Sequence, residues 1–415
     1  MISSILPKKE AIWGCVGSNF SGRTKYLDHL CSSIPENFEL SKRLNINIGP
    51  EIYNSISGLS STIVDEFRLH SPYQNGTFDQ ITPLIQESGL DKLLNASPFE
   101  ISGGEQACLV MLSSILMRPQ LLALDCALEQ VAIGLKSYLL EKSKKLFDDV
   151  TYIIADNRIK EIDGVIDHKI EPLPHCSTLK RAKVWFEPVD LNSCGNLYLS
   201  AGSDLFLENI SFGYSRNEKI LKKISFEIKR GEIYILEGKN GAGKSTLAKI
   251  IAGVLKPASG KMYFNNKLAK PWLYPGKFAT YHFQNPDLQF FSTTVGDEIF
   301  SGLKRRDMEH KHKLTNYNAI IKAFGLTNTL HFHPFDLPFS MRKRLAMAAV
   351  IVLGSEWIIL DEPTLGQDDV ASLQIANIIK YLSSKGLGVI LISHSPWFKS
   401  LINGKILSLS NGQIN

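Results

Sequence analysis

The stretch "ILEGKNGAGKSTLAKII", residues 235–251, decides the fold of the part of the chain that contains it. Its first apolar residues predict a buried strand, and its last residues have the periodicity of a helix. Between them, residues 238–245 match G-x-x-x-x-G-K-[ST]. Glycines let backbone N–H groups approach phosphate oxygens, and the helix N-terminus adds a favourable dipole. The stretch therefore predicts an α/β domain with a phosphate-binding glycine loop.

Polar residues in and after this loop predict hydrolysis of a nucleoside triphosphate. We expect Lys244 to reach the β and γ oxygens and Ser245 to ligate Mg²⁺. A buried strand, "WIILDE", ends in Asp361 and Glu362, 123 positions after Gly238. Acids at the carboxyl end of a parallel strand lie where ligands bind in open α/β sheets. We expect Asp361 to hold Mg²⁺ through water and Glu362 to act as general base on the attacking water.

The same landmarks occur twice, in the same order, which predicts a tandem of two related α/β domains. The spacing between partners rises along the chain, from 221 to 232, 236 and 238 positions, as small deletions in the first copy would require. The paired landmarks are Gly17 and Gly238, Asp65 and Asp297, Asp125 and Asp361, and Asp156 and His394. The expected division is a first domain at 1–170, a linker at 171–196 and a second domain at 197–415.

Each domain is expected to have a mostly parallel sheet flanked by helices. Alternating residues in "LYLSAGSDLFLENISFGYS" and "ISFEIKRGEIYILEG" predict an additional antiparallel layer at the start of the second domain. The first copy begins about one hairpin later, so this layer is expected only in the second.

Composition is that of an ordinary globular protein of more than one domain. The chain has 415 residues, 44% of them apolar and 21% charged, with a formal net charge of +5. Six cysteines form no C-x-x-C pair, which favours a reducing compartment. The N-terminal residues lack the apolar core of a signal peptide, and no apolar run reaches the ~18 residues that span a bilayer.

The order of the glycine loop, "YHFQNPDLQFFSTTVGDEI", "LDEPTLGQDD" and "LISHS" resembles the ATP-binding cassette (ABC) ATPases, members of the P-loop NTPases. The resemblance implies that Gln284 contacts Mg²⁺ and the water, His394 contacts the γ-phosphate, and Tyr214 stacks on adenine. It also places Asp368 in the loop after the catalytic acids. The expected ATP-binding residues of this domain are Tyr214, Gly238, Asn240, Gly241, Gly243, Lys244, Ser245 and Thr246; the expected catalytic residues are Glu362, His394, Gln284 and Lys244; the expected Mg²⁺ ligands are Ser245, Gln284 and Asp361.

Cassette ATPases bind ATP between two domains, and a glycine-containing signature at a helix N-terminus of one domain covers the γ-phosphate bound to the other. The first copy has this signature in "ISGGEQACLVML", with Ser102, Gly103 and Gly104. The resemblance implies a helical signature subdomain in each domain and pairing of the two domains within one chain. Ser102, Gly103 and Gly104 are therefore expected to complete the ATP site.

The second copy has "LPFSMRKRLAMA" at the corresponding place. Ser102 lies 23 positions before Asp125, and Pro338 lies 23 before Asp361. Pairing Ser340 with Ser102 instead would delete two residues and turn the following helix by about 200°, which would expose its buried face. The second signature is therefore expected to be lost. The basic run 342–344 could grip phosphate in its place, although the favoured interpretation puts it on the helix surface.

The first copy has the complementary losses. Arg23 occupies the position of the loop lysine, and Cys126 that of the catalytic glutamate. Asp156 is expected at the position of the histidine, and Ile52 falls near the expected glutamine. A guanidinium is no simple replacement for the loop lysine, and a thiol is a poor base toward water. One complete and one degenerate composite ATP site are expected. Whether Arg23 and the adjacent Thr24 still bind a nucleotide stays open.

The segments "QNPDLQFF" and "GQDD" resemble the ATPases of energy-coupling factor transporters, which import vitamins and metal ions. This implies a transmembrane coupling subunit, a small substrate-capturing membrane subunit, and a peripheral location on the cytoplasmic face of the membrane. A groove within 284–300 would receive a coupling helix, lined by Phe290 and Phe291 unless these are packed core residues. The alternative is a soluble cassette ATPase acting on ribosomes or nucleic acid, but the long charged linker of that branch is missing, so no direct nucleic-acid contact is expected.

Overall fold

The computed structural model describes residues 11–16, 23–33, 44–71, 77–157, 159–171, 203–214, 219–239, 241–304 and 310–414. The chain divides into two compact units, Met1–Lys183 and Val184–Asn415. The division falls within the predicted linker, of which all residues except Glu171 lie outside the described ranges.

The first unit has a five-stranded parallel sheet in the order β2-β3-β4-β1-β5. Its central strands are buried along their whole length, as expected for parallel strands covered on both faces. The strands are β1 (Ile12–Cys15), β2 (Asn45–Ile48), β3 (Leu121–Asp125), β4 (Thr151–Ala155) and β5 (His168–Ile170). The helices are α1 (Arg23–Ser33), α2 (Ile63–Leu69), α3 (Thr77–Ser88), α4 (Gly103–Leu116) and α5 (Ile133–Leu146), with 3₁₀ turns at Ile52–Ser55, Leu90–Leu93 and Ile159–Val165.

The second unit has a six-stranded sheet in the order β11-β12-β13-β8-β14-β15, parallel except for the terminal β14–β15 hairpin. Its strands are β8 (Ile233–Glu237), β11 (Ala279–His282), β12 (Trp357–Asp361), β13 (Gly388–Ile392), β14 (Lys405–Ser410) and β15 (Gln413–Ile414). Its helices are α6 (Lys244–Ile251), α7 (Val295–Lys304), α8 (His310–Ala323), α9 (Phe339–Val352), α10 (Asp369–Ser384) and α11 (Pro396–Ile402), with 3₁₀ turns at Pro271–Leu273, Pro286–Gln289, Thr327–Thr329 and Pro334–Asp336.

The second unit also contains an antiparallel sheet in the order β10-β9-β6-β7. Of the stretches predicted to form this layer, residues 205–212 and 224–228 do so, whereas β8 belongs to the parallel sheet and residues 197–202 lie outside the described ranges. Its strands are β6 (Leu205–Phe212), β7 (Leu221–Ile228), β9 (Ser259–Phe264) and β10 (Lys267–Ala269). Apolar residues of this sheet and of α6 form one buried cluster with β8, β12 and β13. Within the described ranges of the first unit, every strand pair is parallel.

The register of the strand pairs corrects one predicted correspondence between the halves. Asp125 lies opposite Ala155 in β3–β4, and Asp361 lies opposite Ile392 in β12–β13. The residue two positions beyond Ile392 is His394, and the residue two positions beyond Ala155 is Asn157. Asn157 therefore stands at the histidine position, and the prediction of Asp156 was wrong by one residue.

The register of the edge strand refines a second correspondence, because Ile52 was expected only near the position of Gln284. Ile48 lies opposite Leu124 in β2–β3, and His282 lies opposite Leu360 in β11–β12. Counting two residues on from Ile48 puts Pro50, and not Ile52, at the position of Gln284. Ile52 is 4% exposed and packs in the core of the first unit.

Candidate functional site

The glycine loop, residues 238–243, joins β8 to α6 and depends on glycine for its shape. Gly238, Gly241 and Gly243 have φ angles of 156°, 75° and 98°, a region that side chains disfavour. A Cβ on Gly238 would lie 2.3 Å from the carbonyl oxygen of Leu409, and one on Gly243 would lie 2.8 Å from Cδ2 of Leu221. A side chain at either position would therefore strain the loop. The predicted residue Asn240 lies outside the described ranges.

Lys244 is the first residue of α6, and its ammonium group lies against the glycine loop. Its side chain is largely buried, and its Nζ donates to the carbonyl oxygens of Gly238, at 2.8 Å, and Lys239, at 3.1 Å. Burial lowers the pKa of Lys244, while the nearby carboxylates of Glu362 and Asp361 oppose that shift. A partly desolvated ammonium in a cradle of glycine backbone is a fitting environment for a phosphate anion.

Asp361 ends β12, is 2% exposed and has a hydrogen-bond donor that sequence reasoning missed. The hydroxyl of Tyr281, in the neighbouring strand β11, donates to Oδ2 of Asp361 at 2.5 Å. Burial and the charge of Asp361 raise the pKa of Tyr281, and a hydrogen bond with Ser245 opposes that shift. Tyr281 thus connects the two predicted Mg²⁺ ligands, Ser245 and Asp361. No local sequence pattern marks this role, because it depends on which strand pairs with β12.

Glu362 and His394 lie close together beyond β12 and β13. Glu362 has a φ of 47°, and its backbone N–H donates to the carbonyl oxygen of Ile392 at 2.9 Å. Its Oε1 is 3.9 Å from Nε2 of His394, whose side chain is 47% exposed. Glu362 has a left-handed backbone directly after β12, and its side chain lies with that of His394 at the carboxyl edge of the sheet.

Gln284 follows β11 at the same edge, because β11 runs parallel to β12. Tyr214 follows β6 and is 62% exposed, which leaves its ring accessible for stacking. Its hydroxyl lies 3.3 Å from Oγ1 of Thr246, so the predicted adenine-stacking residue reaches the first turn of α6. The predicted site residues of the second unit that lie in the described ranges are therefore arranged around the glycine loop and the carboxyl edge of the parallel sheet.

The signature of the first unit forms the start of α4. Ser102 is the N-cap: its Oγ accepts from the backbone N–H of Glu105 at 3.4 Å, and its own N–H donates to Oε2 of Glu105 at 2.7 Å. This reciprocal pair fixes the entry of the chain into the helix. Gly103 and Gly104 occupy the first turn and are partly exposed. The reciprocal capping hydrogen bonds thus preorganise the turn.

The corresponding turn of the second unit is closed by a phenylalanine. Pro338 is the N-cap of α9 and has no side-chain acceptor to offer. Phe339 follows it, is 9% exposed and packs on the backbone of Gly366, where an added Cβ would lie 2.7 Å from the ring. A bulky ring thus lies where a signature would need an accessible glycine.

The basic run after Phe339 is buried, so the interpretation that placed it on the helix surface was wrong. Arg342, Lys343 and Arg344 are 7%, 0% and 3% exposed. Lys343 Nζ donates to the carbonyl oxygen of Gln284 at 2.9 Å, and Arg342 pairs with Asp287 at 3.1 Å. Burial lowers the pKa of Lys343 to about 7. These cations bind groups within their own unit, which accounts for their burial and argues against the phosphate-grip alternative.

The first unit holds Arg23 in a buried polar network. Arg23 is 6% exposed, and it donates from Nη1 to the carbonyl oxygen of Asp156 at 3.2 Å and from Nη2 to Oδ1 of Asn157 at 2.5 Å. The carboxylate of Asp156 pairs with Lys136 at 2.6 Å, with both side chains 1% exposed. Thr24 donates to Oδ2 of Asp125 at 2.5 Å. The guanidinium is thus engaged by residues of its own unit.

Cys126 has the same backbone geometry as Glu362 but carries a thiol instead of a carboxylate. Its φ is 56°, and its N–H donates to the carbonyl oxygen of Ala155 at 2.6 Å. Burial, reinforced by Glu129, raises the pKa of the thiol well above its ordinary value. The thiol therefore stays protonated at neutral pH and cannot act as a general base.

A mostly apolar groove opens beside β11, between α7 and α9, with a volume of about 220 Å³. Phe291 lines it and is 68% exposed. Phe290 is partly buried, and its ring meets that of Phe335 edge-on with centroids 6.0 Å apart. Of the two predicted aromatics, Phe291 is thus accessible in the groove and Phe290 is packed. Among the described residues, no helix has the length and apolarity that crossing a membrane requires.

Comparison with known proteins gives a consistent result. Residues 221–365 match the family model described as ABC transporter. A putative ABC transporter ATP-binding protein of Clostridium tetani is 28% identical over 375 residues, covering 80% of this chain and 85% of the relative. The energy-coupling factor transporter ATP-binding protein EcfA1 of Fusobacterium nucleatum is 34% identical, covering 50% of this chain and 79% of the relative. Another putative ABC transporter ATP-binding protein, CPE1583 of Clostridium perfringens, is 33% identical over 56% of this chain and 41% of its own length.

Proposed function

The chain belongs to the ATP-binding proteins of ABC transporters, which are ATPases, and on that premise we propose that it powers an energy-coupling factor importer through one complete ATP site. The observation that carries the proposal is the convergence of Lys244, Asp361, Glu362 and His394 at one edge of the second sheet.

The second unit has a donor set that suits ATP with Mg²⁺. Ser245, Gln284 and Asp361 would hold the metal, since hydroxyl, amide and carboxylate oxygens are the ligands that Mg²⁺ prefers. Bound Mg²⁺ would neutralise charge on the β- and γ-phosphates. Tyr281 donates to one oxygen of Asp361, which supports a carboxylate held in a defined orientation for metal binding.

In this proposal, Lys244, Glu362 and His394 carry out catalysis. Lys244 offsets the negative charge of the transferred phosphoryl group, since its ammonium already lies against the loop carbonyls. Glu362 orients the attacking water and accepts its proton. His394, 3.9 Å from Glu362, is placed to contact the γ-phosphate and the same water.

We propose that Ser102, Gly103 and Gly104 of the first unit complete this site by covering the γ-phosphate. Support comes from complementary losses, because the second unit has Phe339 where the first has its glycine turn. Both parallel sheets also share one strand order, β2-β3-β4-β1-β5 and β11-β12-β13-β8-β14. The Clostridium tetani relative matches 80% of the chain, which is more than the second unit comprises.

The first unit's own ATP site is, in this proposal, degenerate. Arg23 is occupied by Asp156 and Asn157, and the neutral thiol of Cys126 stands for the catalytic carboxylate. The unit then serves as a structural partner that donates its signature turn.

Three variants of the full-length chain test this assignment. Glu362→Gln removes the general base and Ser102→Arg blocks the signature turn, so each should abolish most steady-state ATP turnover. Losing one transition-state hydrogen-bond donor costs about 3–4 kcal/mol, or roughly 10²–10³ in rate. Arg23→Ala should leave turnover within about threefold of wild type, because the first site does not hydrolyse ATP. A strong loss of turnover with Arg23→Ala alone, with the fold retained, would contradict the assignment.

The partners follow from the family and from the groove near Phe291. An exposed aromatic in an apolar groove suits a helix of a transmembrane coupling subunit. That subunit would act with a small substrate-capturing membrane subunit that takes vitamins or metal ions, and the chain would be peripheral on the cytoplasmic face of the membrane. Purification of the chain from detergent-solubilised membranes should recover a polytopic protein, and recovery of ribosomal material would favour a soluble ATPase.

A further inference from the structure

The helix that begins at Phe339, α9, makes three contacts with the segment that contains Gln284. Two of these contacts come from the basic run, at Arg342 and Lys343, and the third is made by Ala346 in the next turn of the helix. Together they join α9 to residues 283–289, the segment between β11 and the apolar groove.

Lys343 makes the most buried of the three contacts. Its side chain is 0% exposed, and its Nζ donates to the backbone carbonyl oxygen of Gln284 at 2.9 Å. The negative charges of Asp361 and Glu362 act on the same ammonium. A fully buried amine nitrogen is costly unless it is hydrogen-bonded, so the carbonyl of Gln284 largely determines the position of Nζ.

Two further contacts hold the same segment at its far end. Nη1 of Arg342 donates to Oδ2 of Asp287 at 3.1 Å, with the two side chains 9% and 15% exposed. Nε2 of Gln289 donates to the carbonyl oxygen of Ala346 at 2.8 Å. The segment is thus attached to α9 at residues 284, 287 and 289.

The first unit offers a comparison. The common 23-residue spacing to the acid at the strand end places Gln106, Ala107 and Cys108 of α4 at the positions of the basic run. That unit has Pro50 at the position of Gln284. Basic residues thus accompany the glutamine in the half that keeps it and are missing in the half that has lost it.

We propose that Lys343, assisted by Arg342, is a positioning residue that holds the Gln284 segment against the ATP site. We call this pair of contacts the clamp; in the second unit, α9 provides the clamp instead of a signature. This inference rests on the proposed function, because it assigns Lys343 an effect that acts through Gln284. The clamp would fix the distance of Gln284 from Asp361 and from the attacking water.

A double-mutant cycle in the full-length chain tests the clamp. Lys343→Met keeps the volume of the side chain and removes the ammonium, and it should lower kcat about tenfold with little change in KM for ATP. Gln284→Ala should lower kcat by at least as much. In the Gln284→Ala background, Lys343→Met should change kcat by less than about twofold, because both substitutions remove one function.

Arg344→Met is the matched control, since Arg344 is also buried in α9 but donates to the carbonyl oxygens of Ser340 and Phe324. It should lower Tm without changing kcat. Additive losses from Lys343→Met and Gln284→Ala, or an equal loss of kcat with Arg344→Met, would overturn the clamp. Full activity in Gln284→Ala alone would instead overturn the proposed ATP site. If Lys343→Met does not fold, Asp287→Ala removes the acceptor of Arg342 and should lower kcat about threefold, again without adding to the loss in Gln284→Ala.

Discussion

Tyr281→Phe should raise the Mg²⁺ concentration that half-maximal ATP hydrolysis requires. The substitution removes the hydroxyl that donates to Asp361 at 2.5 Å and keeps the ring. Asp361 is 2% exposed, so bulk water cannot readily replace the lost donor. A hydrogen bond to a charged group contributes about 1.5–3 kcal/mol. Loss of a residue that orients a metal ligand typically costs about 10- to 100-fold in metal affinity, which agrees with that energy.

The assay is a Mg²⁺ titration of steady-state ATPase activity at saturating ATP, with ATP binding measured separately without metal. We expect the Mg²⁺ requirement of Tyr281→Phe to rise about 10- to 100-fold, and ATP binding in the absence of metal to stay unchanged. Tyr263→Phe is the control, because its hydroxyl also donates to a carboxylate, Glu208, at 2.9 Å, but within the antiparallel sheet. An unchanged Mg²⁺ requirement in Tyr281→Phe, or an equal rise in Tyr263→Phe, would refute the reasoning.

Three other substitutions have defined outcomes. Gly243→Ala should weaken ATP binding more than about tenfold, because a φ of 98° and a Cβ 2.8 Å from Leu221 strain the loop; retained affinity in equilibrium binding would contradict this. Lys136→Met should lower the free energy of unfolding by about 3–5 kcal/mol in urea denaturation, since it leaves Asp156 buried without its ion pair; a loss below about 1 kcal/mol would argue against a buried charge there. Glu66→Gln should flatten the acid side of the stability profile. Burial opposes ionisation of Glu66, but hydrogen bonds from Ser57 and Ser60 outweigh it and lower its pKa below the ordinary 4.5. The stabilisation is therefore present above pH 4.5 and lost as pH falls through the folded-state pKa. The difference in Tm between wild type and Glu66→Gln should shrink from pH 7 to about pH 3, and a constant difference would contradict it.

The glycine loop and the acidic strand end were predictable from sequence because they depend on local rules. The left-handed backbone at position 243 favours glycine, and Asp361 ends a short apolar run that predicts a buried strand. Tyr281 was not predictable, because its role depends on which strand lies beside β12, and pairing of β11 with β12 joins residues about 80 positions apart.

The misplaced correspondences have a different cause. Motif matching allowed the spacing between the halves to drift, whereas strand register fixes it, and the register selects Asn157 and Pro50. The burial of Lys343 was also beyond sequence reasoning, because a lysine is normally exposed unless a tertiary partner binds it. Its partner is a backbone carbonyl, which no sequence pattern marks.

The most direct test of a single shared ATP site is the nucleotide retained by the full-length Glu362→Gln chain, which should bind ATP without hydrolysing it. After incubation with Mg²⁺ and radiolabelled ATP and rapid gel filtration, we predict one ATP retained per chain. Adding Ser102→Arg should reduce retention to nearly zero, because in the proposed composite site the altered turn would no longer cover the nucleotide. Two ATP per chain, or retention that does not depend on Ser102, would contradict the account.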